Sequence, residues 1–302
     1  MALRANQSHI TFEGFPSFYA RDEAGKTLIT SNVDFCEGNF QYSSFVAEPV
    51  NTVTSFLYLF ISVSHAWFLW KHCVGKNKKM LLKRFLLGIC GSLMVGFGSS
   101  FLHASLTRVG QYADEIGMQF SLVVAIFMYM FREEEANKKT WWKWTVFTVL
   151  ALQFFGHAYS MIWIPESYAV FVLVFAGILI LSTIIEAVEL YVGRRLEDNL
   201  SKYIHNEAQL KSTAYTVRRV YLIYFVFFLG GFILWCIEFA YCPYVYFLHL
   251  HGFWHLFTAI SVNAKSSLWY FMTFLSHNVE GIELTYYDPL RLIIGLDIKE
   301  KK

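Results

Sequence analysis

Charge is scarce in this sequence. Asp, Glu, Lys and Arg supply 16% of its 302 residues, where soluble proteins average roughly 25%, which argues against an ordinary soluble domain. Its apolar content argues equally against a disordered chain. Neither sign of charge dominates, and a formal net charge of +2 is too small for a nucleic-acid partner. The five cysteines (Cys36, Cys73, Cys90, Cys236 and Cys242) include no CxxC pair, so neither a disulfide scaffold nor a thiolate zinc site is indicated. No apolar core behind basic residues precedes Asn51, so no cleavable signal is read there and the first apolar run is expected to serve as the targeting element. No internal repeat or second domain stands out.

What fills the chain instead is apolar. Hydrophobic residues make up 56% and aromatics 19%, with 30 Phe, 18 Tyr and 9 Trp, more than one soluble core of this size buries. Seven stretches are nearly free of charge: 51–70, 85–106, 116–131, 144–164, 167–185, 220–237 and 247–274. A helical span takes roughly 17–25 apolar residues. The third run is short unless it begins near Asp114, and Lys265 interrupts the seventh. Apolarity that is continuous rather than alternating excludes strand spans. The expected fold is all-α, a polytopic seven-helix membrane bundle: a lead-in over 1–33, the membrane domain over 34–276 and a cytosolic tail over 277–302.

Loop charge orients this bundle. Basic residues gather after run one (Lys71, Lys76, Lys78, Lys79, Lys83, Arg84), run three (Arg132, Lys138, Lys139, Lys143) and run five (Arg194, Arg195, Lys202, Lys211, Arg218, Arg219). Lys299, Lys301 and Lys302 close the tail, while the alternate loops hold only Arg108. The positive-inside rule then puts the N-terminus outside or in a lumen and the C-terminus in the cytosol. In the 194–219 loop, Leu196, Leu200, Ile204 and Leu210 stand near helical spacing. That pattern fits a segment lying on the inner membrane surface or an ordinary solvated connecting helix.

Ionisable groups inside spans are expensive and point to function. Ser99 and His103 lie four apart on one face of helix two, and His251 and His255 lie four apart at the start of helix seven. Asp114 sits where helix three begins. The helix directions bring all five to one depth, near the outer ends. An HxxxH pair plus a third histidine from another helix is a His₃ metal set, whose open position holds a water made acidic by zinc. Asp114 would exchange protons with that water and a leaving group, and Ser99 would donate to a developing oxyanion. The plainer reading is a packed aromatic-rich helix with hydrogen-bonded histidines, which is the expectation for His65, His157 and His249.

The run Gly98-Ser99-Ser100-Phe101-Leu102-His103, then Asp114-Glu115, then His251-Gly252-Phe253-Trp254-His255 resembles the alkaline ceramidases, seven-helix zinc amidases of the membrane. The likeness covers about 32–276. It implies zinc on His103, His251 and His255, proton transfer by Asp114 and transition-state support from Ser99. Asp34-Phe35-Cys36-Glu37-Gly38-Asn39 is similar to that family's calcium segment. This implies a calcium ion held by Asp34, the Phe35 carbonyl, Glu37, Asn39 and Glu48, hard oxygen ligands of the kind calcium takes. Without the likeness, the same residues read as a solvated turn. Phe35 stands where Trp is usual, Ala113 where Leu is common and Gly117 where Pro is common, and Glu238 matches a family acidic position.

The implied activity is hydrolysis of the N-acyl bond of a ceramide-type membrane lipid by a multi-pass integral membrane enzyme, with no protein partner inferred. A related hydrolase of another acyl lipid would keep the metal site. Anchor-remodelling hydrolases of that kind carry a Cys-rich segment before the first helix, which Cys36 alone does not supply. A seven-helix receptor would need no metal and no shared depth for these groups. A proton-coupled transporter would continue its polar groups to the cytosolic side, where Lys265 stands almost alone in the sequence.

Overall fold

A computed structural model describes residues 20–21, 27–28, 31, 33–43, 45–73, 79–130, 141–163, 167–193, 195–277, 281–286, 292 and 294–298. Most of the lead-in, the basic residues of 74–78 and 131–140, Arg194 and the three terminal lysines lie outside them. The helices are α1 (Pro49–Cys73), α2 (Lys79–Ser105), α3 (Arg108–Met130), α4 (Trp141–Trp163), α5 (Ser167–Tyr191), the short α6 (Arg195–Ser201), α7 (Glu207–Val245) and α8 (Leu250–Ser276). Residues 20–21 and 27–28 pair as short antiparallel strands β1 and β2.

The protein is an all-α polytopic membrane protein. Among the described residues, five helices are long and apolar enough to cross a bilayer: Pro49–Lys71, Phe85–Ser105, Arg108–Met130, Val170–Tyr191 and a span within Glu207–Leu248. The other two long helices, α4 and α8, have 23 and 27 residues. Gln153 and His157 in α4, and His251, His255, Asn263 and Lys265 in α8, lower their hydropathy. The third helix begins at Arg108 rather than near Asp114, because Thr107 supplies an N-cap: its Oγ1 accepts the Gly110 N–H at 3.1 Å. Likewise Asn206 caps α7, accepting from Gln209 N at 3.0 Å, and the sixth helix reaches beyond the apolar run 220–237 at both ends, from Glu207 to Val245.

Close packing sets the helices that matter for the site. A Cβ on Gly98 would stand 2.4 Å from the Ala113 carbonyl oxygen, and one on Gly117 would stand 2.7 Å from that of Met94. Backbone contact of this kind, open only to glycine, is how membrane helices approach most closely. It locks α2 to α3. Ladders of contacts fix the other pairings: Thr54 with His255, Tyr58 with Thr258 and His65 with Tyr270 for parallel α1 and α8, and Tyr224 with Ser261 for antiparallel α7 and α8.

Two further segments pack onto one end of the bundle. Leu196, Leu200 and Ile204 are buried in the main core with Val217, Phe271 and Leu275, and Leu210 packs against it. The apolar face of the 195–210 segment therefore packs on the base of the bundle, while Arg195, Asp198, Lys202 and His205 on its other side stay exposed. Its apolar face is spent on the protein's own helix ends. The tail forms an antiparallel hairpin, β3 (Ile282–Tyr286) with β4 (Ile294–Ile298). Ile282, Ile294 and Leu296 enter the same core. Both backbone groups of Ile294 are taken by α8, the N–H by Asn263 Oδ1 at 2.9 Å and the carbonyl by Ser267 Oγ at 3.0 Å.

At the opposite end, where α1 begins, residues 33–48 form a strap across the bundle. The last carbonyls of α2 lack intrahelical partners, and the strap supplies them. Ala47 N donates to Ala104 O at 2.9 Å, and Glu48 N donates to His103 O at 3.0 Å. Phe40 and Ala47 bury against Leu102 and Leu106. A disulfide joins Cys36 of the strap to Cys242 of α7, with Cα atoms 5.5 Å apart. The absence of paired cysteines in the sequence gave no hint of it, because the two are separated by 206 residues.

Candidate metal centre and active site

His103 comes from the end of α2, and His251 and His255 come from the first turns of α8. Their rings converge, with centroids 5.0, 4.9 and 4.6 Å apart. One nitrogen from each lies within 4.8 Å of the others, and all three side chains are buried. No other group of three or more His, Cys, Asp or Glu converges in this way among the described residues. Three residues with left-handed backbone surround the site: Phe40 in the strap, Leu106 just past His103 and His249 just before α8. Such conformations cost about 1–3 kcal/mol each and gather at functional sites.

The histidines are held from behind. Nδ1 of His103 lies 2.6 Å from Glu48 Oε2. With Glu48 ionised the carboxylate accepts, the hydrogen belongs on Nδ1, and Nε2 presents a lone pair to the common space. That Nε2 is buried with no hydrogen-bond partner among the described residues. Thr54 donates its hydroxyl to Val50 O at 2.8 Å and so accepts from His255 Nδ1 at 2.9 Å. Nδ1 of His251 faces Glu238 Oε2 at 3.5 Å. Three buried imidazoles with nitrogens aimed at one another and one of them orphaned are costly unless they share a cation. The donor set fits zinc.

Ser99 stands beside the cluster, its Oγ 2.9 Å from Ser55 Oγ and 3.4 Å from His255 Nε2. Asp114 is buried. Its backbone packs on Gly98, next to Ser99, and its carboxylate is within electrostatic reach of Tyr58, whose ring stands 6.3 Å from His255. Asp114 is not part of the converging nitrogen set.

The strap lies directly over the histidines. The Phe35 ring centroid lies 3.8 Å from that of His251 and 4.9 Å from that of His103, with the rings tilted by 31° and 54°. Asn39 Nδ2 donates to Asp34 Oδ1 at 3.2 Å, and Phe35 N faces Glu48 Oε1 at 3.4 Å. Glu37 gives both carboxylate oxygens to the start of α1, accepting from Val50 N at 2.7 Å and Asn51 N at 2.8 Å. Asp34, Glu37 and Glu48 thus share one strap without meeting at one point. Burial pushes the Glu48 carboxyl up to about 8; the Asn51 hydrogen bond opposes this and the nearby Glu37 charge adds to it. A cation beside these acids would relieve that cost.

Two further polar networks lie apart from the clustered histidines. Glu115 accepts from Gln111 Nε2 at 2.6 Å, and its other oxygen faces His157 Nε2 of α4 at 3.3 Å without hydrogen-bond geometry. At the other end of the bundle Lys265 pairs with Glu186 of α5 at 3.2 Å and with the Tyr224 hydroxyl at 3.3 Å. His65 differs from expectation: neither ring nitrogen has a partner among the described residues, and the ring meets Tyr270 edge-on at 5.0 Å.

A family model for ceramidase matches residues 27–290. This chain belongs to the ceramidase family. Among curated ceramidases it is similar to an alkaline ceramidase of Saccharomyces cerevisiae, 25% identical over 249 residues, covering 77% of this chain and 73% of that one. Alkaline ceramidase 3 of Mus musculus is 24% identical over 243 residues, 76% and 79% of the two chains. A Dictyostelium discoideum protein with an alkaline ceramidase name is 26% identical over 259 residues, 80% and 86% of the two. In this member of the ceramidase family, the sequence pointed to His103, His251, His255, Ser99 and Asp114. It gave no sign of Thr54, Ser55 or the Cys36–Cys242 link, since small hydroxyls on an apolar helix and distant cysteines carry no local pattern.

Proposed function

We propose that this ceramidase-family protein hydrolyses the N-acyl bond of ceramide-type lipids at a zinc ion held by His103, His251 and His255. The observation that carries the reading is the convergence of three buried histidines beside a buried serine and aspartate, in a chain of this family. Zinc bound there supplies a Lewis acid and lowers the pKa of a water to about 7.

The chain's own residues do the rest. Asp114 takes a proton from the attacking water and returns it to the departing amine, so that water oxygen joins the acyl carbon as the C–N bond breaks. Ser99 donates its hydroxyl to the oxygen that gains charge in the transition state. Glu48 and Thr54 hold the tautomers of His103 and His255. The products are a fatty acid and a free sphingoid base, and the apolar interior between helices accommodates the chains.

Seven spans are part of this reading, with α4 and α8 joining the five apolar ones, the N-terminus outside and the C-terminus in the cytosol. The Cys36–Cys242 disulfide beside the histidines supports it independently of loop charge, because disulfides persist in oxidising compartments. Calcium held by Asp34, the Phe35 carbonyl, Glu37, Asn39 and Glu48 would stiffen the strap over the histidines. Its binding requires Glu37 to turn at least one oxygen from α1 toward Asp34.

The test is metal analysis of purified wild type beside His251→Ala, paired with turnover of a ceramide and of an ester-linked analogue. Stoichiometric zinc that disappears in the variant, with amide cleavage that disappears with it, is the expected result. A metal-free, inactive wild type would sink the reading, and ester-only turnover would redirect it to another acyl lipid.

A further inference from the structure

Two of the three clustered histidines have an obvious partner behind them, Glu48 for His103 and Thr54 for His255. The third does not. Nδ1 of His251 is buried and makes no hydrogen bond among the described residues, and neither does Oε2 of Glu238, yet the two atoms face each other at 3.5 Å. Both side chains are only 4% exposed. The other carboxylate oxygen of Glu238 accepts the backbone N–H of Cys36 at 3.0 Å. Cys36 is in turn bonded to Cys242, four residues along α7 from Glu238 and just past the break at Tyr241. Phe35, the neighbour of Cys36, lies against the His251 ring, with centroids 3.8 Å apart.

We propose that Glu238 is the positioning residue for His251, and that the Cys36–Cys242 disulfide acts on the metal centre through it. This rests on the reading of the histidines as metal ligands. A ligating imidazole needs its remote N–H held by an acceptor, which fixes its tautomer and ring angle and raises the basicity of the ligating nitrogen. Glu238 is the acceptor in reach. One of its oxygens faces the histidine, while the other is anchored to a strap that the disulfide fastens to the same helix. Opening the disulfide frees the strap end that holds the anchored oxygen. The effect then passes to the oxygen that faces His251. Phe35 keeps the ring from turning away while this contact closes.

The experiment measures zinc affinity by competition with a chromophoric chelator. It uses full-length purified protein and follows thermal unfolding of the metal-free forms in parallel. Glu238→Gln keeps an acceptor for the Cys36 N–H but turns an amide donor toward Nδ1. It is expected to weaken zinc binding 10–100-fold, the usual effect of losing such an outer partner, with metal-free unfolding unchanged. Glu238→Asp keeps the carboxylate and is expected to fall between Gln and wild type, which also serves if the Gln variant fails to fold. Cys242→Ser is expected to weaken zinc in the same direction, and to add little once Glu238→Gln is present, the mark of a shared route.

Wild-type affinity in Glu238→Gln, or an Asp variant no better than Gln, overturns the positioning role. Full multiplication of the two losses in the double variant overturns the route through the disulfide. A wild type that binds no zinc overturns the proposal together with the metal reading, so the two failures are told apart.

Discussion

Glu48 Oε2 lies 2.6 Å from Nδ1 of His103, while Oε1 of the same carboxylate faces the backbone N–H of Phe35 at 3.4 Å. One side chain therefore touches both the histidine cluster and the strap that covers it. Glu48 sits immediately before Pro49, a favourable first helical residue, so the start of α1 fixes its position. Glu48→Ala is expected to weaken zinc binding 10–100-fold, as read by chelator competition. Zinc binding equal to wild type would reduce Glu48 to a partner of the strap alone.

Asp114→Asn is expected to retain stoichiometric zinc and lose about 10²–10⁴ in turnover, the usual contribution of a general acid–base group. Metal analysis and single-turnover hydrolysis on the same preparation check it. Loss of zinc in step with activity would make Asp114 a ligand instead.

Ser99→Ala is expected to cost about 10²–10³ in kcat with zinc retained, as for one oxyanion donor. The effect should fall on kcat rather than KM, because the interaction strengthens only in the transition state. Unchanged kinetics would return Ser99 to its packing contact with Ser55.

Calcium removal is expected to lower activity and the unfolding temperature while leaving zinc in place. An ion that binds only the ordered strap stabilises it by RT ln(1 + [L]/Kd), about 2.7 kcal/mol at 100-fold saturation. Asp34→Ala should abolish the response to added calcium. Glu37→Ala should do so too, and should also destabilise the metal-free protein, since its oxygens cap α1. Unfolding temperatures that ignore calcium in the wild type would remove the ion from the strap.

Lys265 and Glu186 form a buried pair at 3.2 Å between α8 and α5. Lys265→Met takes the cation away from the buried Glu186 carboxylate and is expected to cost about 3–5 kcal/mol, while Lys265→Met with Glu186→Leu is expected to recover most of it. Thermal unfolding of both variants in detergent checks the sign. A double variant less stable than the single one would show that the pair is worth more than its apolar replacement.

Much of this protein was legible before any folding was considered. Long charge-free runs dictate helices wherever backbone groups must be satisfied without water, and the four-residue spacings Ser99–His103 and His251–His255 fix which side chains share a helix face. Those local periodicities placed the histidines, the serine and the aspartate. Helix boundaries were less legible: the third helix starts at Arg108 because of the Thr107 cap, and the sixth extends back to the Asn206 cap through a polar stretch whose Ala214 and Val217 pack in the core with Leu196, Leu200 and Ile204.

The sequence by itself determined the membrane class, the helical architecture and which histidines share a helix face, because each rests on composition or on spacing within one helix. Only the tertiary structure decided what stands behind those groups. Thr54 meets His255 across 201 positions, Cys36 N meets Glu238 across 202, and Cys36 is bonded to Cys242 across 206. The tail, too, became a hairpin in the core through Asn263 and Ser267 of α8. Contacts between distant segments depend on how helices pack, and a helix face announces its own period but not its neighbour.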